Sequence, residues 1–186
     1  MKVIAICGKR GSGKDTIAEY ISKKYGFKML TYTNDVLGPL LKKEGKKITR
    51  ENLIKLALDL RKKIGNDAPT KLMCEKMKRL KHNKYVISGI RYPEEVKRFR
   101  NEFGSDFVLI AVICDTKTRY ERLIKRNDKG ESKLTYKEFL EIDKKAETET
   151  MIDEIIPVAR FLVDNNGTEK ELYKNIDLLM KEILKD

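Results

Sequence analysis

The chain has 186 residues, of which 40% are hydrophobic, with only four prolines and eleven glycines, so one ordered domain is predicted and a disordered or collagen-like chain is excluded. The 41 lysines and arginines outnumber the 29 acidic residues and give a net charge of +12, which favours an anionic partner such as a nucleotide or a nucleic acid.

Membrane insertion and disulfide bonding are not expected. The longest apolar run, residues 107–114, is far shorter than the ~20 residues that cross a bilayer, and no apolar leader with a cleavage site opens the chain. The cysteines, Cys7, Cys74 and Cys114, are odd in number and widely spaced, so they predict neither a disulfide framework nor a metal site. We therefore expect a cytoplasmic protein.

The first half of the chain predicts two strands followed by a helical segment. Residues 1–7 form a β-branched apolar run that ends before Gly8 and is followed by a segment of helical period. Residues 28–32 predict a second short strand. This helical segment, residues 33–82, comprises a helix broken at Gly38-Pro39, a long amphipathic helix capped by Thr49 and a third helix capped by Asp67.

The second half alternates strands and helices. Residues 85–87, 107–113 and 159–163 predict buried strands, and capping boxes at Thr135 and Thr168 predict the starts of two helices. The polar segment 127–133 lies between a helix that ends near Arg126 and the charged helix after Thr135. Strands alternating with helices predict an α/β fold with a parallel sheet and helices on both faces.

A glycine-rich loop follows the first strand and carries the strongest functional signal. Its sequence, GKRGSGK, matches the pattern GxxxxGK and opens a helix, which is the context in which backbone N–H groups and the lysine hold nucleotide phosphates. The candidate ATP-binding residues of this segment are Gly8, Lys9, Arg10, Gly11, Ser12, Gly13, Lys14, Asp15 and Thr16.

The residue after Lys14 departs from the usual loop pattern. Asp15 stands where serine or threonine normally offers a hydroxyl to Mg²⁺, and Thr16 comes one position later. Asp15 is the candidate metal ligand, through its carboxylate or a bridging water, and the Thr16 hydroxyl is a candidate contact of the α-phosphate.

Two large classes of P-loop protein are disfavoured. A GTPase needs a DxxG after a later strand and an NKxD for guanine, whereas residues 35–38 spell DxxG too early and residues 83–86 lack the aspartate. A motor ATPase would be larger and would end a strand in Asp-Glu, whereas residues 113–115 offer only Asp115.

The chain resembles the nucleoside-monophosphate-kinase-like P-loop kinases, and its closest likeness is to an archaeal family related to adenylate, cytidylate and dephospho-CoA kinases. The segments that carry the resemblance are GKRGSGKDT at 8–16, NDV at 34–36, ENLIKLALDLRKKIGNDA at 51–68, SGIRYPEEVKRFR at 88–100, FGSDFVLIAV at 103–112, TKTRYERLIKR at 116–126 and VDNNGTEKEL at 163–172. The GKDT form is also similar to phage deoxynucleoside monophosphate kinases and animal phosphomevalonate kinase.

The resemblance implies a three-layer P-loop NTPase fold in a single domain, residues 1–186. Its core would comprise residues 1–32, 83–126 and 149–186, with a helical acceptor-binding insertion at 33–82 and a short lid at 127–148. The implied cofactors are ATP and Mg²⁺.

Four arginines are candidates for phosphate contacts. Arg91 follows the third strand at the sheet edge where ligands bind, and similar kinases place an arginine there on the phosphates, after an aspartate that Ser88 replaces here. Arg122 and Arg126 share one helix face, and in the resembling kinases such a pair begins the lid and stabilises the transferring group. By the same resemblance Arg61 is expected to bind the acceptor phosphate.

The resemblance also implies two further contacts. Asp35, in the insertion, is a candidate acceptor contact. The loop at 164–168, with Asn165 and Gly167, packs its backbone along the adenine in dephospho-CoA-kinase-like proteins.

The resulting hypothesis is a Mg²⁺-dependent ATP phosphotransferase, or kinase, with a nucleotide or nucleotide-like small-molecule phosphate acceptor. One alternative is a phosphomevalonate-type kinase. The other is a nucleic-acid-associated ATPase or binding module, which the net charge and the lysine-rich stretches 42–43 and 78–84 favour but the lack of interleaved aromatic residues does not.

Overall fold

The computed structural model describes residues 1–126 and 134–185, and the side chains of residues 147 and 148 are not described. Its strands are β1 (Lys2–Gly8), β2 (Lys28–Thr31), β3 (Lys84–Ile90), β4 (Phe107–Ile113) and β5 (Phe161–Asp164). Its helices are α1 (Lys14–Tyr25), α2 (Gly38–Lys43), α3 (Arg50–Ile64), α4 (Ala68–Leu80), α5 (Pro93–Phe103), α6 (Thr116–Arg126), α7 (Tyr136–Lys145), α8 (Glu147–Ile155) and α9 (Glu169–Ile183).

The strands form one parallel sheet in the order β2-β3-β1-β4-β5, which confirms the predicted α/β fold. The central strand β1 is buried on both faces. Val3, Ala5 and Cys7 pack into the core on one side, whereas Ile4 and Ile6 pack against α1 and α9 on the other. Because β1 lies at the centre, the glycine-rich loop that follows it sits in the middle of the carboxyl edge of the sheet.

The helix starts predicted from capping residues are confirmed. Thr49 accepts a hydrogen bond from the Asn52 amide, and Thr135 and Thr168 each form a capping box with the glutamate three residues later. In each case a hydroxyl oxygen satisfies a backbone N–H that has no partner within the helix, so the signal is local and readable from the sequence.

Two predicted boundaries were wrong. Strand β3 continues beyond Ile87 to Ile90, so Ser88 lies within the strand and is buried. The expected helix break at Gly38-Pro39 does not occur: a π-helical turn, Thr33–Leu37, continues directly into α2. Pro39 stands in the first turn of α2, where its missing N–H leaves no intrahelical bond unmade.

The insertion and the predicted lid are covered to different extents. Residues 33–82 fold as the π-helical turn and α2–α4, and the apolar face of α3 packs partly buried against the core beside β3. Of the predicted lid, residues 127–133 lie outside the described residues, and the remainder contains α7 and the start of α8. No helix in the described part of the chain is long and apolar enough to span a membrane.

Candidate functional site

The glycine-rich loop folds in a backbone conformation that only glycine adopts easily. Gly11 and Gly13 have φ angles of 82° and 90°, in the left-handed region. The neighbouring atoms would also exclude a side chain. A Cβ at Gly11 would lie 2.6 Å from the Arg119 carbonyl oxygen, and one at Gly13 would lie 2.2 Å from Asn165 Nδ2.

The loop ends in the first turn of α1, where the helix dipole and the unpaired N–H groups attract anions. Lys14 is the first residue of α1 and is only 9% exposed. Ser12 Oγ is buried within the loop and has no hydrogen-bond partner among the described residues. An orphaned hydroxyl in this position fits a bound phosphate, because a phosphate oxygen would accept its hydrogen bond.

Asn165 connects the loop after β5 to the glycine-rich loop. Its side-chain amide donates to the Ser12 carbonyl oxygen at 2.8 Å, and its backbone N–H donates to Ile113 at 2.9 Å. Asn165 therefore supports the phosphate-binding loop directly. Asn165 and Gly167 also border a cavity of about 500 Å³ between the loop after β5 and the first part of α9.

Asp15 and Ser88, the two residues that depart from the kinase pattern, are in direct contact. Ser88 Oγ, at the end of β3, donates a hydrogen bond to the Asp15 carboxylate in the first turn of α1. The usual hydroxyl on the loop and carboxylate on the strand have thus exchanged positions. No group of three or more His, Cys, Asp or Glu side chains suited to a metal occurs among the described residues. One carboxylate fits Mg²⁺, which takes most of its remaining ligands from phosphates and water.

Glu149 joins helix α8 to both the glycine-rich loop and Arg91. One carboxylate oxygen accepts from the Arg91 guanidinium at 2.7 Å and the other from the Arg10 backbone N–H at 2.9 Å. Burial opposes ionisation of Glu149, but Arg91, the Arg10 amide and Lys14 outweigh it and lower its pKa below the ordinary value. One turn later Asp153 pairs with Lys9 at 2.9 Å. Sequence reasoning missed Glu149 because no local pattern distinguishes it from other helix-surface glutamates.

Arg119 holds the loop from the side of α6 and was not among the predicted site residues. Its guanidinium donates to the carbonyl oxygens of Arg10 and Cys114, both at 3.2 Å, and pairs in a fork with the Asp143 carboxylate, with both contacts at 2.7 Å. Arg119 is buried and connects the loop to α7.

The two predicted arginines of α6 lie farther out than Arg119. Arg122 is half-buried and makes two long contacts of 3.4 Å, to Cys114 Sγ and to the Gly167 carbonyl oxygen. Arg126 is exposed and close enough to Arg10 to affect its pKa.

The candidate acceptor residues of the insertion have protein partners. Arg61 stacks on the Tyr92 ring and pairs with the buried Glu95 carboxylate at 2.8 Å. Glu95 in turn accepts from the Arg91 backbone N–H at 2.9 Å, so Arg61 supports the backbone that carries Arg91. Asp35 accepts from the Thr31 amide at 2.7 Å and pairs with Lys76 at 2.8 Å. Their acceptor contacts remain predictions.

Positive charge converges on the mouth of the site. The pKa of Arg10 is lowered to about 10, chiefly by burial and also by the charges of Arg50, Arg126 and Arg91, while Glu149 opposes the shift. These arginines come from the loop, from the start of α3, from the end of α6 and from the segment directly after β3. Guanidinium groups repel one another, so such a cluster is stabilised by an anion. Arg50, which was not among the predicted residues, is close enough to Arg10 to affect its pKa.

The sheet order and the loop between β1 and α1 define a P-loop nucleotide-binding domain of the kinase type. A family model described as an AAA domain matches residues 4–151, which include the glycine-rich loop. A UPF0200/UPF0201 protein of Archaeoglobus fulgidus is 35% identical over the whole chain, which spans 57% of that relative's length. A UPF0200 protein of Pyrococcus abyssi is 32% identical, and the alignment covers 98% of this chain and 97% of that protein. The chain belongs to the UPF0200 family, which confirms the predicted archaeal relationship.

Solved structures of P-loop kinases share the fold. Shikimate kinase from Aquifex aeolicus matches with a TM-score of 0.54 and 19% identity over 97% of this chain and 96% of that one. A gluconokinase from Sinorhizobium meliloti matches with a TM-score of 0.58 and 15% identity over 98% and 95%. At these identities the likeness concerns the fold alone.

Proposed function

We propose that this protein is an ATP-dependent phosphotransferase that acts on a nucleotide or a nucleotide-like small molecule bearing a phosphate. The observation that carries the proposal is the meeting of Lys14, the Asp15–Ser88 pair and Arg91 at the centre of the carboxyl edge of the sheet. An ATP phosphate chain, a metal and an acceptor must meet at one point for transfer, and this is the point where parallel α/β sheets bind ligands.

The proposed roles follow from phosphoryl transfer, which needs positioning and charge stabilisation more than covalent chemistry. The loop amides and Lys14 hold the phosphates of ATP. Asp15 binds Mg²⁺ through its carboxylate or a bridging water, and Arg122 and Arg126 stabilise the transferring group. Mg²⁺, when bound, neutralises phosphate charge. Asn165 and Gly167 border the adenine. Arg91 contacts the transferring phosphoryl group and the acceptor, and Arg61 and Asp35 contact the acceptor.

The acceptor is proposed to carry its own phosphate. The support is the cluster of Arg10, Arg50 and Arg91, since planar guanidinium groups pair best with phosphate oxygens. A phosphomevalonate-type acceptor also carries a phosphate and is the second candidate within the same class.

The experiment is a coupled assay of ADP formation with Mg·ATP and a panel of nucleoside monophosphates, dephospho-CoA and phosphomevalonate. We expect one acceptor class to raise ADP formation. We expect Lys14→Ala to reduce the rate by about 10²-fold or more while the protein stays folded, because it removes a charge that acts on the phosphates. Lys23→Ala, an exposed lysine on the same helix, is the control. An acceptor-independent rate would instead identify an ATPase, and an undiminished rate in a folded Lys14→Ala protein would contradict the proposal.

A further inference from the structure

The carboxylate of Glu149 makes the contacts that a phosphate would make at this site. Its two donors are a backbone N–H of the glycine-rich loop and the guanidinium of Arg91. Both kinds of donor bind phosphate oxygens in proteins. Glu149 is only 5% exposed, so its carboxylate lies buried between these two donors.

Helix α8 holds this carboxylate at its less constrained end. Ile152 and Ile155, in the later part of the helix, are fully buried in the core. Glu149 lies in the first turn, and one turn later the exposed ion pair between Asp153 and Lys9 also links the helix to the loop. A change of the Glu149 rotamer or of the first turn would therefore release Arg91 without unpacking the helix.

A phosphate and this carboxylate cannot share the same two donors. Both are anions, and the Glu149 carboxylate would be left buried beside a second negative charge if it stayed in place. We propose, resting on the proposed function, that Glu149 is an internal phosphate surrogate that occupies the anion subsite formed by the Arg10 N–H and the Arg91 guanidinium, and that the terminal phosphoryl group of bound ATP displaces it.

Displacement lowers the apparent affinity for phosphate, because the ligand binds only the fraction of molecules in which the carboxylate has moved away. Removal of the charge should therefore strengthen phosphate binding. If Glu149 instead remained in place to orient Arg91 for the ligand, removal of its charge would weaken binding. The two arrangements predict opposite signs.

The test is calorimetric titration of the full-length protein with Mg²⁺ and a non-hydrolysable ATP analogue, and separately with inorganic tripolyphosphate. We expect Glu149→Gln to bind both probes at least about threefold more tightly than the wild type. Glu154→Gln is the matched control, since it makes the same change at an exposed position of the same helix, and its affinities should equal those of the wild type.

Unchanged or weaker binding by Glu149→Gln, with a wild type that binds both probes, would overturn the inference and leave the proposed function intact. A wild type that binds neither probe would overturn the proposed function as well. Glu149→Asp retains the charge with a shorter reach, and it serves as the second variant if Glu149→Gln does not fold. We expect Glu149→Asp to bind more tightly than the wild type, and equal or weaker binding would overturn the inference.

Discussion

Asp15 and Ser88 show how one exchange of residue types can preserve a local arrangement. The loop has lost the usual hydroxyl and gained a carboxylate, and the strand has the reverse. The two side chains are hydrogen-bonded, so one hydroxyl and one carboxylate still lie between β3 and α1. Each departure by itself weakens the prediction of a Mg²⁺ site, whereas the contact makes them a single feature.

The exchange predicts which substitutions matter for the metal. Asp15→Ala should weaken Mg²⁺-dependent binding of an ATP analogue by about tenfold, equivalent to about 1.4 kcal/mol, because it removes the carboxylate. Asp15→Ser combined with Ser88→Asp should restore most of that affinity by returning both groups to their usual places. Ser88→Ala should have the smaller effect. Titration of Mg²⁺ against analogue affinity measures each variant.

Glu19→Ala, on the exposed face of α1, is the control for a simple change in charge. If Asp15→Ala left the magnesium dependence unchanged, Asp15 would act only on the helix dipole. That interaction contributes about 0.3–1 kcal/mol at a helix N-terminus.

At the scale of elements, the glycine-rich loop is held by its neighbours as much as by its own sequence. The loop after β5 contacts it through Asn165, α6 through Arg119 and α8 through Glu149. All three side chains are buried and all three bind backbone groups of the loop. The phosphate-binding conformation is therefore a property of the packed edge of the sheet.

The contact with Asn165 predicts that Gly13→Ala is more harmful than an ordinary glycine replacement. Gly13 and Gly26 precede and follow α1, and both have positive φ angles, 90° and 70°. Nothing lies within 4 Å of a Cβ built at Gly26, whereas at Gly13 it would collide with Asn165. Gly26→Ala should lower the free energy of unfolding by only the left-handed strain, about 1–2 kcal/mol. Gly13→Ala should lower it further and also weaken ATP-analogue binding.

Urea unfolding of both variants, together with analogue titration, makes the comparison. Equal losses of stability would show that the Asn165 side chain moves aside without resistance. The additional variant Gly13→Ala with Asn165→Ala should recover the part of the loss that arises from the collision.

At the scale of the molecule, the two faces of the sheet are covered by different kinds of side-chain contact. The face that carries the insertion buries charged and polar side chains, including Arg61, Glu95 and Thr70, below the site. On the other face α1 and α9 are joined outside the core by Asp177, which accepts hydrogen bonds from Lys24, Tyr25 and Tyr20. The insertion side therefore holds buried polar groups and ion pairs below the site, whereas a partly exposed polar network joins α1 and α9 on the other side.

The α1–α9 network predicts a pH dependence of stability. Hydrogen bonds from Lys24 and then Tyr25 lower the pKa of Asp177 from the ordinary 3.8 to about 2. A carboxyl with a lowered folded-state pKa stabilises the protein above its unfolded pKa, and this stabilisation is lost as the pH falls through the folded value. The difference in unfolding free energy between the wild type and Asp177→Asn should be constant from pH 7 to about pH 5 and should shrink below about pH 4.

Urea unfolding at several pH values tests this expectation. Glu182→Gln, on the same helix as Asp177, is a suitable control, because the contact of Glu182 with Arg160 is exposed and 3.7 Å long. A difference that stayed constant down to pH 2.5 would assign the contribution of Asp177 to its neutral hydrogen bonds instead of its charge.

The sequence alone determined those features that depend on neighbouring residues in the chain. The β-branched runs predicted the five strands, the threonine caps predicted three helix starts, and the glycines with Lys14 predicted the loop. These signals are readable because hydrogen bonds at caps and backbone conformations at glycines act over a few residues. The strand boundaries were less reliable, as β3 shows, because packing against α1 and pairing with β1 carry the strand through the small residues Ser88 and Gly89 to Ile90.

Only the tertiary structure decided which distant side chains meet at the loop. Glu149 lies 139 positions from Arg10 and Asn165 lies 153 positions from Ser12, and no local pattern predicts either contact. Arg61 was predicted to face the acceptor, yet its partner is Glu95 on α5, which follows β3. Such pairs form because the parallel sheet brings the carboxyl ends of β1, β3, β4 and β5 to one edge, where buried charges must find partners or ligands.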